Sequence, residues 1–321
     1  MEATAPSVSR HLGLDLGGTN IKWVVVEYDA DAWRVIDRGQ IATLAAEGPD
    51  AVVSRLGAVG TEAMGRSPGV GSVGIGVPGL YDPVAGTTRF LVNFPGGWPG
   101  VPVAGPVGAA LGLPAPLIND ARAFGLAELR AGAARGAASM VGLALGTGIG
   151  GVIAIDGRVY QGHDGTGGEL GHQTLEPDGP LCGCGNRGCL EAFARADRIA
   201  AACGTATAEA AMEAARAGDP AAVAGLLVVG RYLGIGIANM IAVITPDVVV
   251  IGGGISAAFD LLRAPIEAEL RERVRTTALE RVRLVPAELG TWAGAIGAAI
   301  HGAEAATRVA GAVAGAPVGA P

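Results

Sequence analysis

Residues 168–191, GELGHQTLEPDGPLCGCGNRGCLE, restrict the fold of this chain more than any other stretch. They hold three of its four cysteines, Cys182, Cys184 and Cys189, with His172 ten residues upstream of the first. Three thiolates and one imidazole fill a tetrahedral Zn²⁺ shell, and a filled shell leaves no open position for catalysis. Pro180, Gly183, Gly185 and Gly188 break any regular element, so the backbone can wrap tightly around an ion. A Cys-x-Cys pair alone fits a redox pair or two buried thiols as well. Three cysteines within eight residues and an upstream histidine favour a metal. Glu169 and Glu191 bracket the cluster, so a structural zinc that fixes His172 also fixes two carboxylates beside it.

The 321 residues allow two domains with ample core. Half of the composition is apolar but only 4% is aromatic, so packing relies on small aliphatic side chains and close backbone approach. A formal charge of −7 argues against nucleic acid or an anionic membrane as partner. Lys22 is the single lysine among 23 basic residues, and no Walker GK[ST] phosphate loop is present. The opening MEATAPSVSR lacks a basic region followed by an apolar run, unlike a secretory signal. The most apolar run, residues 225–255, is broken by Arg231, Asn239, Pro246 and Asp247, and reads as a buried helix and strand rather than a membrane span. With three cysteines committed to metal, a reducing cytoplasm fits.

Residues 1–10 read as a flexible leader. Residues 11–16 are a short strand, Gly17-Gly18-Thr19-Asn20 a turn, and the β-branched run after it a second strand, together a hairpin. A strand at 33–41, a helix at 50–64 and a buried strand at 71–77 follow. Residues 78–114 read as loop and include Asn93; loops of that length are functional or mobile. A strand at 115–118 delivers Asn119 and Asp120 to a helix at 121–129. The opening pattern then returns: strand 140–145, glycine turn 146–151, strand 152–155, and a turn at Asp156-Gly157 into 158–160. Two such hairpins imply a duplicated α/β architecture with a central cleft between its halves. Beyond the cysteine segment lie helices at 191–202, 207–217 and 220–244, a strand at 247–251 leading into Gly252-Gly253-Gly254, and a helix at 259–275 whose balanced Arg and Glu form a solvated face. A strand at 282–285 and a helix at about 291–303 close the fold. The expected domains are 11–119 with that last helix, and 120–290. The Ala/Gly/Pro-rich tail 307–321 reads as disordered.

Gly146, Gly148 and Gly151 match the spacing of a dinucleotide fingerprint, but that fingerprint needs a helix after the glycines. VIAIDGRVY reads as a hairpin instead. Glycines in a hairpin turn still let backbone N–H groups approach an anion, so phosphate remains open. In the first turn Asp15 adds a carboxylate for Mg²⁺ and Thr19 a hydroxyl donor, and the two turns together form a nucleotide clamp. Asp120 fits either a helix N-cap or a catalytic base equally well from spacing alone. Glu191 fits a charge at a helix N-terminus.

DLGGT at 15–19, GVPG at 76–79, Asn119-Asp120, LGTG at 145–148, GELGH at 168–172 and CGCGNRGCLE at 182–191 resemble the motif series of the ROK family (repressors, open reading frames, sugar kinases), in order from His11 to about Gly302. The resemblance implies the two-domain fold of sugar kinases, Hsp70 and actin, and, from the members it most resembles, ATP-dependent phosphorylation of the 6-hydroxyl of glucose. Related kinases that use N-acetylglucosamine, N-acetylmannosamine, fructose, mannose or allose stay open. A sugar-responsive repressor stays a remote alternative, because no helix-turn-helix fits the few residues before the first strand. The resemblance implies Asp120 as the base on the sugar hydroxyl. It implies Asn93, Asn119, Asp120, Glu169, His172 and Glu191 as sugar contacts, with His172 also binding zinc. ATP and Mg²⁺ would meet Asp15, Gly17, Gly18, Thr19, Asn20, Lys22, Gly146, Thr147, Gly148, Gly253 and Gly254. A homodimer or homotetramer is implied as well.

Overall fold

The computed structural model describes residues 8–29 and 32–314, which fall into two compact units. One runs up to Ala131 and resumes at Trp292; the other is Gly132–Thr291.

The first unit opens with β1 (Ser9–Leu16), β2 (Asn20–Asp29) and β3 (Ala32–Ala42), followed by α1 (Pro49–Arg66), β4 (Val70–Val77), β5 (Gly79–Asp82), β6 (Thr87–Leu91), α2 (Ala104–Leu111), β7 (Leu117–Asn119) and α3 (Asp120–Ala131). The second holds β8 (Met140–Leu145), β9 (Ile149–Ile155), β10 (Arg158–Val159), α4 (Glu191–Ala194), α5 (Ala196–Ala202), α6 (Ala208–Arg216), α7 (Pro220–Ile244), β11 (Val248–Gly252), α8 (Phe259–Arg273) and β12 (Arg283–Pro286). Finally α9 (Ala293–Ala314) returns to the first unit.

The two main sheets share one topology. The first is ordered β3-β2-β1-β4-β7 and the second β10-β9-β8-β11-β12. In each, the first three strands are antiparallel neighbours and the fourth joins the first in parallel. The duplication expected from the two glycine-turned hairpins is therefore present strand for strand. Burial follows position in the sheet. Edge strand β3 alternates exposed and half-buried residues, whereas central β11, VVVIG, is buried at every position.

Small residues let backbones approach closely. A Cβ on Gly13 of β1 or Gly74 of β4 would collide with carbonyl oxygens of α9, at Ala295 and Ala298 respectively. A Cβ on Gly297 of α9 would likewise collide with the Ala123 carbonyl of α3. This packing of α3 on α9 explains why the unit boundary falls after Ala131, not at the expected 119/120.

Other expectations need correction. Ser9 and Arg10 belong to β1 rather than to a leader: Arg10 pairs with Glu27 at 3.3 Å and donates to the Pro68 carbonyl at 2.8 Å. Residues 1–7 of that expected leader lie outside the described residues. The loop-rich stretch 78–114 contains β5, β6 and α2. The single helix expected at 191–202 breaks at Arg195, whose backbone is extended, because the next amide, Ala196 N–H, is drawn to the Gly146 carbonyl at 2.9 Å. The last helix does not stop near residue 303 but continues to Ala314, with an Arg308–Glu304 pair one turn apart just past the expected end. Residues 315–321 of the expected tail lie outside the described residues.

Candidate active site and metal centre

In the first unit Asp15 stands one residue from the end of β1, opposite Lys22 of β2 and Gly76 of β4. The turn after it is closed by Gly17 N–H donating to the Asn20 carbonyl at 3.0 Å. Thr43, fully buried and unmarked in the sequence, fastens that turn twice: its hydroxyl donates to the Gly17 carbonyl at 2.6 Å and its amide to the Thr19 carbonyl at 2.8 Å. Burial raises the Asp15 pKa to about 7; the charge of Asp120 adds to the rise and Lys22 opposes it. The two carboxylates therefore feel each other. A Cβ on Gly76 would stand 3.3 Å from Asp15 Oδ1, and one on Gly294 would stand 2.8 Å from Oδ2, so the glycines leave the carboxylate unhindered by side chains. A carboxylate oxygen is a hard donor of the kind Mg²⁺ takes.

Asp120 begins α3 where β7 ends. Its Oδ1 accepts from Ala121 N–H at 2.8 Å and from Asn119 Nδ2 at 3.0 Å. Asn119, buried, also donates to the Gly79 carbonyl at 3.1 Å and accepts Arg122 N–H at 3.1 Å through Oδ1. The cap on the third amide of the helix is thus Asn119, and the N-cap reading of Asp120 gives way to that of a carboxylate aimed by its neighbours. Asn93 adopts a left-handed conformation (φ 67°), a strained state that clusters at functional sites. Its Cβ would lie 3.1 Å from a Cβ on Gly18, so an expected sugar contact adjoins the first glycine turn.

In the second unit Gly146 N–H donates to the Gly148 carbonyl at 2.9 Å. Ile149 N–H, just beyond, donates to Glu191 Oε2 at 2.9 Å. Gly253, with φ 83°, lies so close to Leu145 that a Cβ there would strike its backbone, and Gly254 has open space beside it. The glycines expected to flank adenosine thus adjoin the second glycine turn.

His172 closes a 3₁₀ turn at Leu170–His172, with Glu169 exposed just before it. Its Nδ1 stands 3.6 Å from Cys182 Sγ, and Cys184 Sγ stands 3.8 Å from Cys189 Sγ. All four donor atoms lie within 4.8 Å of one another, and the cysteines are free thiols. Tetrahedral bonds of about 2.3 Å to sulfur and about 2.0 Å to nitrogen set donors roughly 3.5–3.8 Å apart, so the cluster fits Zn²⁺. Local hydrogen bonds hold it: Cys182 N–H donates to the Asn186 carbonyl at 2.8 Å and Gly188 N–H to that of Pro180 at 2.9 Å. Burial pushes the Cys182 thiol up to about 12 and raises Cys189, whereas the Asn186 amide lowers Cys184. A bound Zn²⁺ deprotonates such thiols outright. Cys182 Sγ also reaches Glu191 Oε1 at 3.5 Å. Glu191 therefore joins the thiol cluster to the second glycine turn, a link the sequence did not reveal.

Two sheets of one topology, each carrying a glycine-turned hairpin, define the sugar kinase class of α/β folds, here with a Cys₃His centre in the second unit. The profile of the ROK family matches residues 11–304. The chain belongs to the ROK family. It is 35% identical to a glucokinase of Thermotoga maritima over 307 residues, 90% of this chain and 95% of the relative. A ROK hexokinase structure from Thermus thermophilus superposes with a TM-score of 0.80 at 35% identity, covering 93% of this chain and 99% of that one. A ROK glucokinase from Streptomyces griseus, solved with glucose and AMPPNP, gives 0.77 at 30% identity, covering 93% and 100%.

Proposed function

We propose that this chain is an ATP-dependent hexokinase that phosphorylates the 6-hydroxyl of glucose. The observation that carries this is the aimed carboxylate of Asp120, held through Oδ1 by Asn119 Nδ2 and its own helix amide. Asp120 accepts the proton of the 6-hydroxyl as the oxygen attacks the γ-phosphorus in line, while the bond from that phosphorus to the bridging oxygen breaks and ADP leaves. Asp15, whose charge pushes against that of Asp120, would hold Mg²⁺ brought with ATP, and the ion would offset charge on the carboxylate and the phosphates. The first turn (Gly17, Gly18, Thr19, Asn20, with Lys22 behind) and the second (Gly146, Thr147, Gly148) offer backbone N–H and hydroxyl donors to phosphate oxygens. Gly254, with open space beside it, leaves room for adenine, while Gly253 packs against Leu145 and sets the backbone there. Asn93, Asn119, Glu169, His172 and Glu191 hold the sugar hydroxyls, with Asn119 chiefly orienting Asp120. His172, Cys182, Cys184 and Cys189 hold a structural Zn²⁺. Reduced thiols suit the cytoplasm.

The support from relatives is direct: glucokinases of 31–35% identity share about 90% of the chain. An N-acetylgalactosamine kinase of Shewanella at 31% identity keeps an amino sugar as the second reading. A coupled assay with ATP over a sugar panel separates them, with glucose expected to have the highest kcat/KM. In the same assay Asp120→Ala should lower kcat by about 10³-fold or more, while calorimetry shows glucose affinity within a few-fold of the parent. Retained turnover removes Asp120 from the base role.

A further inference from the structure

Arg195 stands where α4 ends and α5 begins, and its side chain does not run out into solvent. Only 22% of that side chain is exposed. Asp197 engages one edge of the guanidinium: Nε donates to Oδ1 at 2.7 Å and Nη2 to Oδ2 at 3.0 Å. The remaining nitrogen, Nη1, lies 3.9 Å from where a Cβ on Gly183 would stand, between Cys182 and Cys184. The planar fork is thus clamped along one edge and turned toward the cysteine loop with the rest. Arg195 also follows Glu191 by one helical turn, and its backbone N–H donates to the Glu191 carbonyl at 3.2 Å. The hydrogen bond to Asp197 chiefly raises its pKa; burial opposes the rise, and the charges of Glu191 and Cys182 add to it. The cation therefore feels both the carboxylate and the thiol.

A zinc-loaded cluster needs such a cation. Three thiolates outweigh the charge of Zn²⁺, and a neutral imidazole adds none, so the loaded complex is left negative. Glu191 Oε1 lies 3.5 Å from Cys182 Sγ, so a carboxylate then faces a thiolate, and like charges that close repel. The loop's own cation, Arg187, is engaged with the Gly179 carbonyl at 3.3 Å. We propose that Arg195 is a positioning residue of the Cys₃His centre: its guanidinium offsets the negative charge of the thiolates and of Glu191, so that Glu191 can face Cys182 while it holds the Ile149 amide. The proposal rests on the zinc reading of the cluster and is independent of which sugar is phosphorylated. Asp197 serves to aim the guanidinium. It is 59% exposed, and an ion pair with so open a partner contributes little to stability by itself. The contribution of the Arg195 charge comes through the cluster.

The test is the zinc affinity of the full chain, read by competition with a chromophoric chelator, with zinc per chain from elemental analysis. Arg195→Met keeps the length of the stem and removes the charge. It should weaken zinc binding about 10- to 100-fold, the usual effect of losing a group that supports metal ligands. Arg195→Lys returns a charge and should recover most of that loss. Asp197→Asn breaks the ion pair but keeps the cation, and should cost far less than Arg195→Met; a role confined to the ion pair would make the two losses alike. In the zinc-loaded state, hydrogen exchange at the Ile149 amide should speed up in Arg195→Met. Should Arg195→Met fail to fold, Arg195→Gln and Arg195→Lys give the same comparison, with glutamine losing affinity and lysine keeping it. Parental zinc affinity in the uncharged variants, equal losses in Asp197→Asn and Arg195→Met, no recovery with lysine, or unchanged exchange at Ile149 would each overturn the proposal and leave the zinc reading standing. A parent that binds no zinc would overturn the zinc reading itself, and the proposal with it.

Discussion

At the scale of single residues, the site depends on groups that make contact far along the chain. Thr43 holds the first glycine turn from 26 positions away through two hydrogen bonds to carbonyls. Thr43→Val keeps the shape and removes the hydroxyl donor, leaving the part-buried Gly17 carbonyl short of that partner, at about 1 kcal/mol. Such a loosened turn should raise the KM for ATP several-fold while the KM for glucose changes little; equal changes in both would argue against a role specific to the nucleotide turn. Gly188 is a sharper case. Its φ is 64°, and a Cβ there would collide with the Glu176 carbonyl oxygen. Gly188→Ala should therefore displace Cys189, the next residue, and lower bound zinc per chain in elemental analysis.

At the scale of elements, helix α9 illustrates what folding a long helix against a sheet does to titration. His301 sits on it, and burial lowers its pKa to about 4, with Arg308 pushing in the same direction. A folded-state pKa below the unfolded value means that the unfolded chain binds the proton first as pH falls. The stability contributed is present above about 6.5 and is lost progressively toward pH 4. His301→Gln should flatten that limb: melting temperatures of parent and variant, followed from pH 7.5 to 4.5, should converge or cross as the solution is acidified. A constant gap between the two curves would show that His301 does not titrate there. The same scale shows what the sequence could and could not announce. Glycine turns flanked by β-branched runs announced both hairpins, and Pro220 through Ile244 was legible as a helix because Asp219 caps it and proline occupies its first turn. The split of residues 191–202 was not legible, because it follows from the tertiary bond between Ala196 and Gly146. Nor was the placement of α3 with α9, which rests on backbone contact between residues some 170 positions apart, such as Ala123 and Gly297.

At the scale of the whole molecule, the second unit joins its Cys₃His cluster to its glycine turn through one carboxylate. Glu191 accepts the Ile149 amide through Oε2 and faces Cys182 through Oε1. The cysteine loop has little apolar core of its own, a cluster of Cys182, Cys189 and Ala192, so a bound ion would add substantially to the local hydrogen bonds that hold it. Structural zinc contributes its binding free energy to folding, about 10–16 kcal/mol in isolated zinc-finger peptides. Less is expected here, where a large apolar core in the same unit contributes its own stability. Chelation should release one zinc per chain, lower the melting temperature and abolish glucose binding through loss of the His172 position. It should also increase hydrogen exchange at Ile149, because an unconstrained Glu191 no longer holds that amide. Exchange at Val250, in the centre of β11, should stay slow, since that strand is buried between β8 and β12. Readdition of Zn²⁺ should restore all three properties. If Ile149 stayed protected after the metal left, Glu191 would anchor the phosphate turn independently of the thiol cluster. The zinc would then support the sugar side of the site alone.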